Sequence, residues 1–304
     1  TAVSKASFAL AGSWAQVLIG RTAGWVGRAV RSPVRDALLI ESTTPATVSR
    51  AFAFHRTLDT LGAILGPLTA TLLVAHVSLR AIFAISLIPG LCAVASIILL
   101  VKERPQRPNL SHPWRNVKAL PRDFFRFMIP VGLFGISNFA PTLLILRAQD
   151  LLMPSMGTLA ASAFSIGLYT FSNVIYALVA YPIGVLADRI DKRLILSAGF
   201  AMFALVCLGF MFVATQWWLL GLLFALNGIY TAIVESSQPA LASALMQEDQ
   251  HGAGFGVMSA IDGLGDCLSS IGLGALWSAS SPATGFGVAA LWAFMSAAML
   301  SLMR

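Results

Sequence analysis

GVLADRIDKR, Gly184 to Arg193, closes one apolar run (159–187) and opens the next (194–214). A bilayer core needs roughly 20 apolar residues per helical crossing, so both runs are long enough to cross. The charged segment between them reads as a tight turn at the membrane surface. Gly184 lets two helices approach closely, Asp188 is placed to accept from a neighbouring helix N-terminus, and Arg189, Lys192 and Arg193 suit anionic headgroups.

The same reading extends along the chain. Of 304 residues, 57% are hydrophobic and 11% charged, and the mean hydropathy is +0.80. Soluble domains carry ~25% charged residues, so a soluble fold is excluded. Apolar segments at 14–40, 51–77, 79–101, 124–146, 159–187, 194–214, 217–246, 253–279 and 282–303 predict nine transmembrane helices. They are far longer than the ~10-residue strands of a membrane barrel. Residues 1–12 are too short to cross and read as the tail of a helix that begins outside the sequence. Residues 102–122 hold Lys102, Arg104, Arg107, Arg115, Lys118 and Arg122 against Glu103, with four prolines. By the positive-inside rule this stretch is a cytoplasmic linker, and counting crossings places the C-terminus inside as well. The expected organisation is a partial N-terminal bundle (1–101), a basic linker (102–123) and a six-helix bundle (124–304). The net charge of +7 resides in loops and speaks of membrane orientation, with no nucleic-acid partner. Cys92, Cys207 and Cys267 lie singly in apolar runs, so no disulfide, metal site or cofactor is implied.

An internal repeat supports a two-part architecture. AFAFHRTLDTLG (51–62) lies over GFGVMSAIDGLG (254–265), an offset of 203 that pairs Phe52 with Phe255, Asp59 with Asp262 and Gly62 with Gly265. Two equivalent helix pairs are a construction used by many secondary transporters.

The Gly184–Arg193 segment resembles the signature loop of the major facilitator superfamily, in the copy between the eighth and ninth helices. Asp191 stands where the family pattern has glycine. In that register, 14–101 resembles family helices four to six and 124–303 resembles helices seven to twelve, so helices one, two and most of three are not in the sequence. The resemblance implies an all-α, pseudo-twofold membrane bundle. Arg21, within Gly20 to Gly27, resembles the arginine motif of helix four found in proton-coupled members. Gly62, Gly66 and Pro67 resemble part of the antiporter motif, with Ala70 and Thr71 where paired glycines follow. The family also implies a latch in which Asp188 meets the N-terminus of the 51–77 helix and Arg189 meets Asp59. It further makes Asn138, Tyr169, Tyr176, Asn227 and Gln238 cavity-lining candidates, with an interhelical contact the leading reading of each taken singly.

Charge inside the spans gives the remaining candidates, because an ionisable group at mid-bilayer costs ~3 kcal/mol unless paired or wetted. His55 and Asp59 share a helix face that Gly62 and Gly66 continue. Asp262 and Asp266 stand one turn apart, which disfavours joint ionisation. Glu235 precedes Pro239, whose missing N–H frees a backbone carbonyl, as in helices that line cavities. Each site has a proton-carrying or gating reading and a purely structural one. No nucleophile, base and oxyanion set converges, so an enzyme is not expected. The expected function is proton-coupled alternating-access transport of a small solute across a bacterial inner membrane, with drug-type export leading. Uptake of a small organic anion is the alternative, and a truncated, transport-incompetent membrane scaffold is a third reading.

Overall fold

The computed structural model describes residues 7, 12–74, 76–100, 113–213 and 216–303. Residues 102–112 of the basic linker, most of 1–11, and the side chains of Arg21 and Pro67 lie outside that description. Every regular element among the described residues is helical: α1 (Trp14–Glu41), α2 (Val48–Val74), α3 (Leu79–Ile85), α4 (Leu87–Leu100), α5 (Pro113–Lys118), α6 (Arg122–Ser137), α7 (Thr142–Met156), α8 (Thr158–Arg189), α9 (Lys192–Phe212), α10 (Trp217–Ala244), α11 (His251–Ala279) and α12 (Pro282–Leu302). Helices follow because lipid offers backbone groups no partners, so each must be bonded within its own segment.

Six stretches are long and apolar enough to cross a membrane: Ala81–Leu99, Arg122–Met156, Thr158–Arg189, Lys192–Phe212, Trp217–Ala244 and Pro282–Leu302. The remaining long helices, α1, α2 and α11, have 28, 27 and 29 residues and carry most of the candidate charges.

Two boundaries differ from expectation. The run 79–101 is interrupted at Ser86, between α3 and α4. The predicted 124–146 helix breaks after Ser137 and resumes at Thr142, carrying on to Met156, so Arg147 lies inside a helix and not in a loop. The break falls at Asn138-Phe-Ala-Pro141, where proline has no N–H to continue the ladder. Gly157, the one described residue with positive φ (79°), makes the turn into α8.

The principal core lies in 122–303, where α9 packs on α12 and α10, α8 on α10, and α6 on α11 and α12. Its centre is aromatic. Phe134 stacks on Phe200 with centroids 4.0 Å apart, and Phe203 joins Phe134, Phe139 and Tyr230. Small residues set the close crossings: a Cβ on Gly265 would stand 2.7 Å from the Gly135 backbone, so α6 and α11 meet glycine to glycine. Of the other helices, α2 lies against α8 and α10, and α1 against α11. Phe52 and Phe255, equated by the repeat, face each other with centroids 6.3 Å apart. That is where a pseudo-twofold axis puts equivalent residues.

Candidate functional site

The polar residues gather where α1 and α2 meet the larger bundle. At the end nearest α5, the linker end, a Cβ on Gly184 would come within 2.6 Å of Ala53 Cβ and 2.9 Å of Arg50 Cα. Only glycine permits this approach of α8 to α2. It brings Asp188 to the first turn of α2, where one carboxylate oxygen accepts from the Ser49 N–H (2.9 Å) and the other from the Arg50 N–H (3.2 Å) and Arg50 Nε (3.0 Å). These donors are orphans of the helix terminus, and the helix dipole favours the negative charge there. The Asp188 side chain is 1% exposed. Beside it Phe52, Ala53, Phe255 and His251 are buried, so the two parts are sealed at this end.

The latch expected from the sequence therefore differs in one arm. Arg189 is exposed and forms no ion pair with Asp59 among the described residues. Asp59 lies 3.6 Å from Arg35 and 3.8 Å from His55, and Arg35 also holds Asp36 at 2.8 Å. Arg35 lies one helix over on α1 and reaches Asp59 first. Asp191 serves as the N-cap of α9 through Arg193 N–H (2.9 Å) with a φ of −56°, so the turn needs no glycine there. Arg193 donates to the Met303 carbonyl at 3.1 Å, tying α9 to the end of α12. Lys192 is half-buried beside it.

Deeper in, Glu235 of α10 accepts from the Tyr176 hydroxyl of α8 at 2.5 Å and lies 3.6 Å from Arg56 Nε of α2. Arg56 is eight residues into α2 and Glu235 nine from the end of α10, depths of roughly 12 and 13 Å that match across the junction. Arg56 was not among the sequence candidates. Its signal was present as a guanidinium within an apolar run, but no spacing rule links it to a carboxylate 179 positions away.

A second centre forms around the unwound Asn138–Pro141 segment. Asn138 donates to Asp266 (3.3 Å) and accepts from Tyr230 (3.1 Å), while Ser269 donates to the Asn138 carbonyl (2.7 Å) and Ala140 N–H donates to Ser270 (3.0 Å). The freed backbone groups are thus satisfied by α11, which is what allows irregular chain at this depth. Asn138 accordingly sits in a break and not on a helix. Gln238 donates to both oxygens of Asp262 at 3.1 and 3.0 Å, so the two aspartates are held by different amides. Asp262 is eleven residues into α11, as Asp59 is into α2, about 16 Å in each. Asp266 lies near the middle of its helix.

Asn227 is buried and donates to Ser172 at 3.1 Å, with its side-chain amide oxygen unpartnered. Tyr169 is half-buried and its carbonyl accepts from Asn173. Gly62 and Gly66 are exposed, with nothing within 4 Å of a Cβ at either. The Gly62–Gly66 part of the stripe is therefore open, while its His55–Asp59 part faces Arg35 of α1.

Comparison with known proteins agrees with this architecture. A family model described as Major Facilitator Superfamily matches residues 1–151 and 131–304. An uncharacterized MFS-type transporter of Methanocaldococcus jannaschii is 33% identical over 278 residues, covering 90% of this chain and 69% of that protein. An uncharacterized protein of Mycobacterium bovis is 26% identical, covering 83% of this chain; the chain spans 61% of that relative's length. The crystal structure of the human organic anion transporter MFSD10 (TETRAN) superposes with a TM-score of 0.77 at 16% identity, covering 98% of this chain and 74% of that one.

Proposed function

The chain belongs to the major facilitator superfamily of multi-pass membrane transporters, not enzymes, and from that membership we propose that it moves a small solute by proton-coupled alternating access. The observation that carries this reading is the Arg56–Glu235–Tyr176 contact between α2, α8 and α10. An ionisable carboxylate inside the bilayer is held there by groups from both sides of the junction that must open. Protonating Glu235 removes its attraction for Arg56 and shifts the balance between packings. We take residues 1–101 and 124–304 as the two lobes, 102–123 as the cytoplasmic linker, and a bacterial inner membrane as the setting. The sealed linker end then corresponds to an outward-facing arrangement.

Drug-type export leaned on Arg21 and on Gly62, Gly66 and Pro67. The glycines meet nothing within 4 Å, so they lend export no contact. Uptake of an organic anion is favoured by the inward guanidiniums of Arg35 and Arg56, and agrees in chemistry with what MFSD10 is named for. The scaffold reading has no use for a charged contact at this depth.

Reconstitution in proteoliposomes with an imposed pH gradient tests the proposal. Gradient-driven flux should be lost in Glu235→Gln while solute counterflow persists, because counterflow needs no net proton release. Counterflow restricted to organic anions contradicts drug export. Absence of any flux in the wild-type chain, with the protein monodisperse, overturns transport by this chain and leaves the scaffold.

A further inference from the structure

We propose that Arg56 is the binding site for the carboxylate of an organic monoanion, and that Glu235 occupies the guanidinium until it is protonated. The inference rests on the reading of Glu235 as the proton-carrying group.

Arg56 is neutralised in this structure without being satisfied. A guanidinium carries five N–H donors in a planar fork, and Arg56 Nε is buried with no hydrogen-bond partner. Its nearest carboxylate oxygen, Glu235 Oε2, is 3.6 Å away, too far for a hydrogen bond, and that oxygen is taken by Tyr176 at 2.5 Å. The other arginines of the junction are differently placed: Arg50 donates to Asp188, and Arg35 donates to Asp36 while also lying near Asp59. The Arg56 and Glu235 side chains are 28% and 37% exposed while Arg56 Nε itself is buried, so a carboxylate reaches that donor when Glu235 gives way. Buried fixed donors matched to a planar acceptor favour a bidentate carboxylate above other small groups.

Charge arithmetic then fixes what accompanies it. Arg56 with ionised Glu235 sums to zero. Adding a monocarboxylate alone leaves one uncompensated negative charge in the junction, which is costly in low dielectric. Adding it with one proton, which forms the O–H bond of a neutral Glu235 and breaks no other bond, restores zero. One proton therefore enters with one monoanion. A dianion leaves a surplus charge, and an uncharged solute leaves the fork unfilled. Several charged and titratable groups surround the pair: His55 and Asp59 on α2, Arg35 and Asp36 on α1, Tyr176 on α8, and Asp262 and Asp266 on α11. From α9, Cys207 faces Tyr230. Among the described residues, Glu235 is the carboxylate that forms an ion pair with Arg56.

Titration calorimetry on the whole chain in lipid nanodiscs tests this, with acetate, lactate and benzoate as monoanions, oxalate as a dianion and benzamide as the neutral isostere of benzoate. Buffers of different ionisation enthalpy count protons taken up. A monocarboxylate should bind roughly 100-fold tighter near pH 5.5 than near pH 7.5, with roughly one proton absorbed per anion across that range. Arg56→Gln should lose binding by roughly 30-fold or more, and Arg56→Lys should recover part of it. Glu235→Gln, checked for folding by size exclusion, should bind as tightly at the higher pH as at the lower and absorb no proton. The proposal is overturned if no monocarboxylate binds above the Arg56→Gln level at either pH, if benzamide matches benzoate, or if Glu235→Gln keeps the pH dependence. Carboxylate binding of this kind without gradient-driven flux would defeat the transport reading and leave the site standing. Flux of uncharged solutes untouched by Arg56→Gln would defeat the site and leave transport standing.

Discussion

Replacing Asp188 by alanine should open the linker end, and the size of the effect can be worked from its contacts. The carboxylate accepts from Ser49 N–H, Arg50 N–H and Arg50 Nε at 2.9, 3.2 and 3.0 Å. A hydrogen bond to a charged group contributes ~1.5–3 kcal/mol, and the loss of a helix N-cap costs ~1 kcal/mol. The Arg50 arm is discounted because that side chain is 38% exposed and solvent screens it. Since these terms overlap, we take about 2–4 kcal/mol as lost from the sealed arrangement, a shift of roughly 30- to 1000-fold in the open fraction. Ser49 supplies a reporter, being fully buried with an unpartnered hydroxyl, so Ser49→Cys is nearly isosteric. With the exposed Cys92 and Cys267 replaced by serine and buried Cys207 retained, maleimide labelling of that cysteine should be slow. Asp188→Ala should raise the labelling rate by the stated factor, up to the rate of an open thiol, and Asp188→Asn by less because its amide oxygen still accepts one N–H. A change smaller than about threefold in Asp188→Ala would refute the argument that this carboxylate holds the two parts together.

Other expectations follow from the same contacts. Gly184→Ala places a Cβ within 2.6 Å of Ala53 Cβ and 2.9 Å of Arg50 Cα; it should weaken the sealed state by about 1–3 kcal/mol, read as faster labelling at the same reporter. Gly265→Ala meets the Gly135 backbone at 2.7 Å and should lower the midpoint of thermal unfolding in detergent. Gly62→Ala and Gly66→Ala, with nothing within 4 Å, should be neutral or stabilise by up to ~1 kcal/mol, and a marked loss in either would contradict the open face. Tyr176→Phe removes the hydroxyl that donates to Glu235 at 2.5 Å; gradient-driven flux should fall by roughly tenfold or more, and unchanged flux would separate the tyrosine from the coupling.

Whatever depended on chain-local regularity was legible in the amino acids alone. Apolar runs beyond the ~20 residues of a crossing required helices in lipid, and Gly184 with Asp188 marked a close turn with a cap to offer. The repeat pairing Phe52 with Phe255 implied a twofold relation. Boundaries were less legible where proline acts on a distant partner: Asn138–Pro141 could stay unwound only because Ser269 and Ser270 of α11 satisfy it. Charge pairing was decided by the tertiary structure, because an ion pair depends on which helix faces lie within a few ångströms. Asp59 went to Arg35 and not to Arg189, Asp262 and Asp266 went to separate amides, and Arg56 came to Glu235 across 179 positions. Hydrophobic periodicity specifies that a helix is buried on one side, and carries no term for the neighbour it meets there.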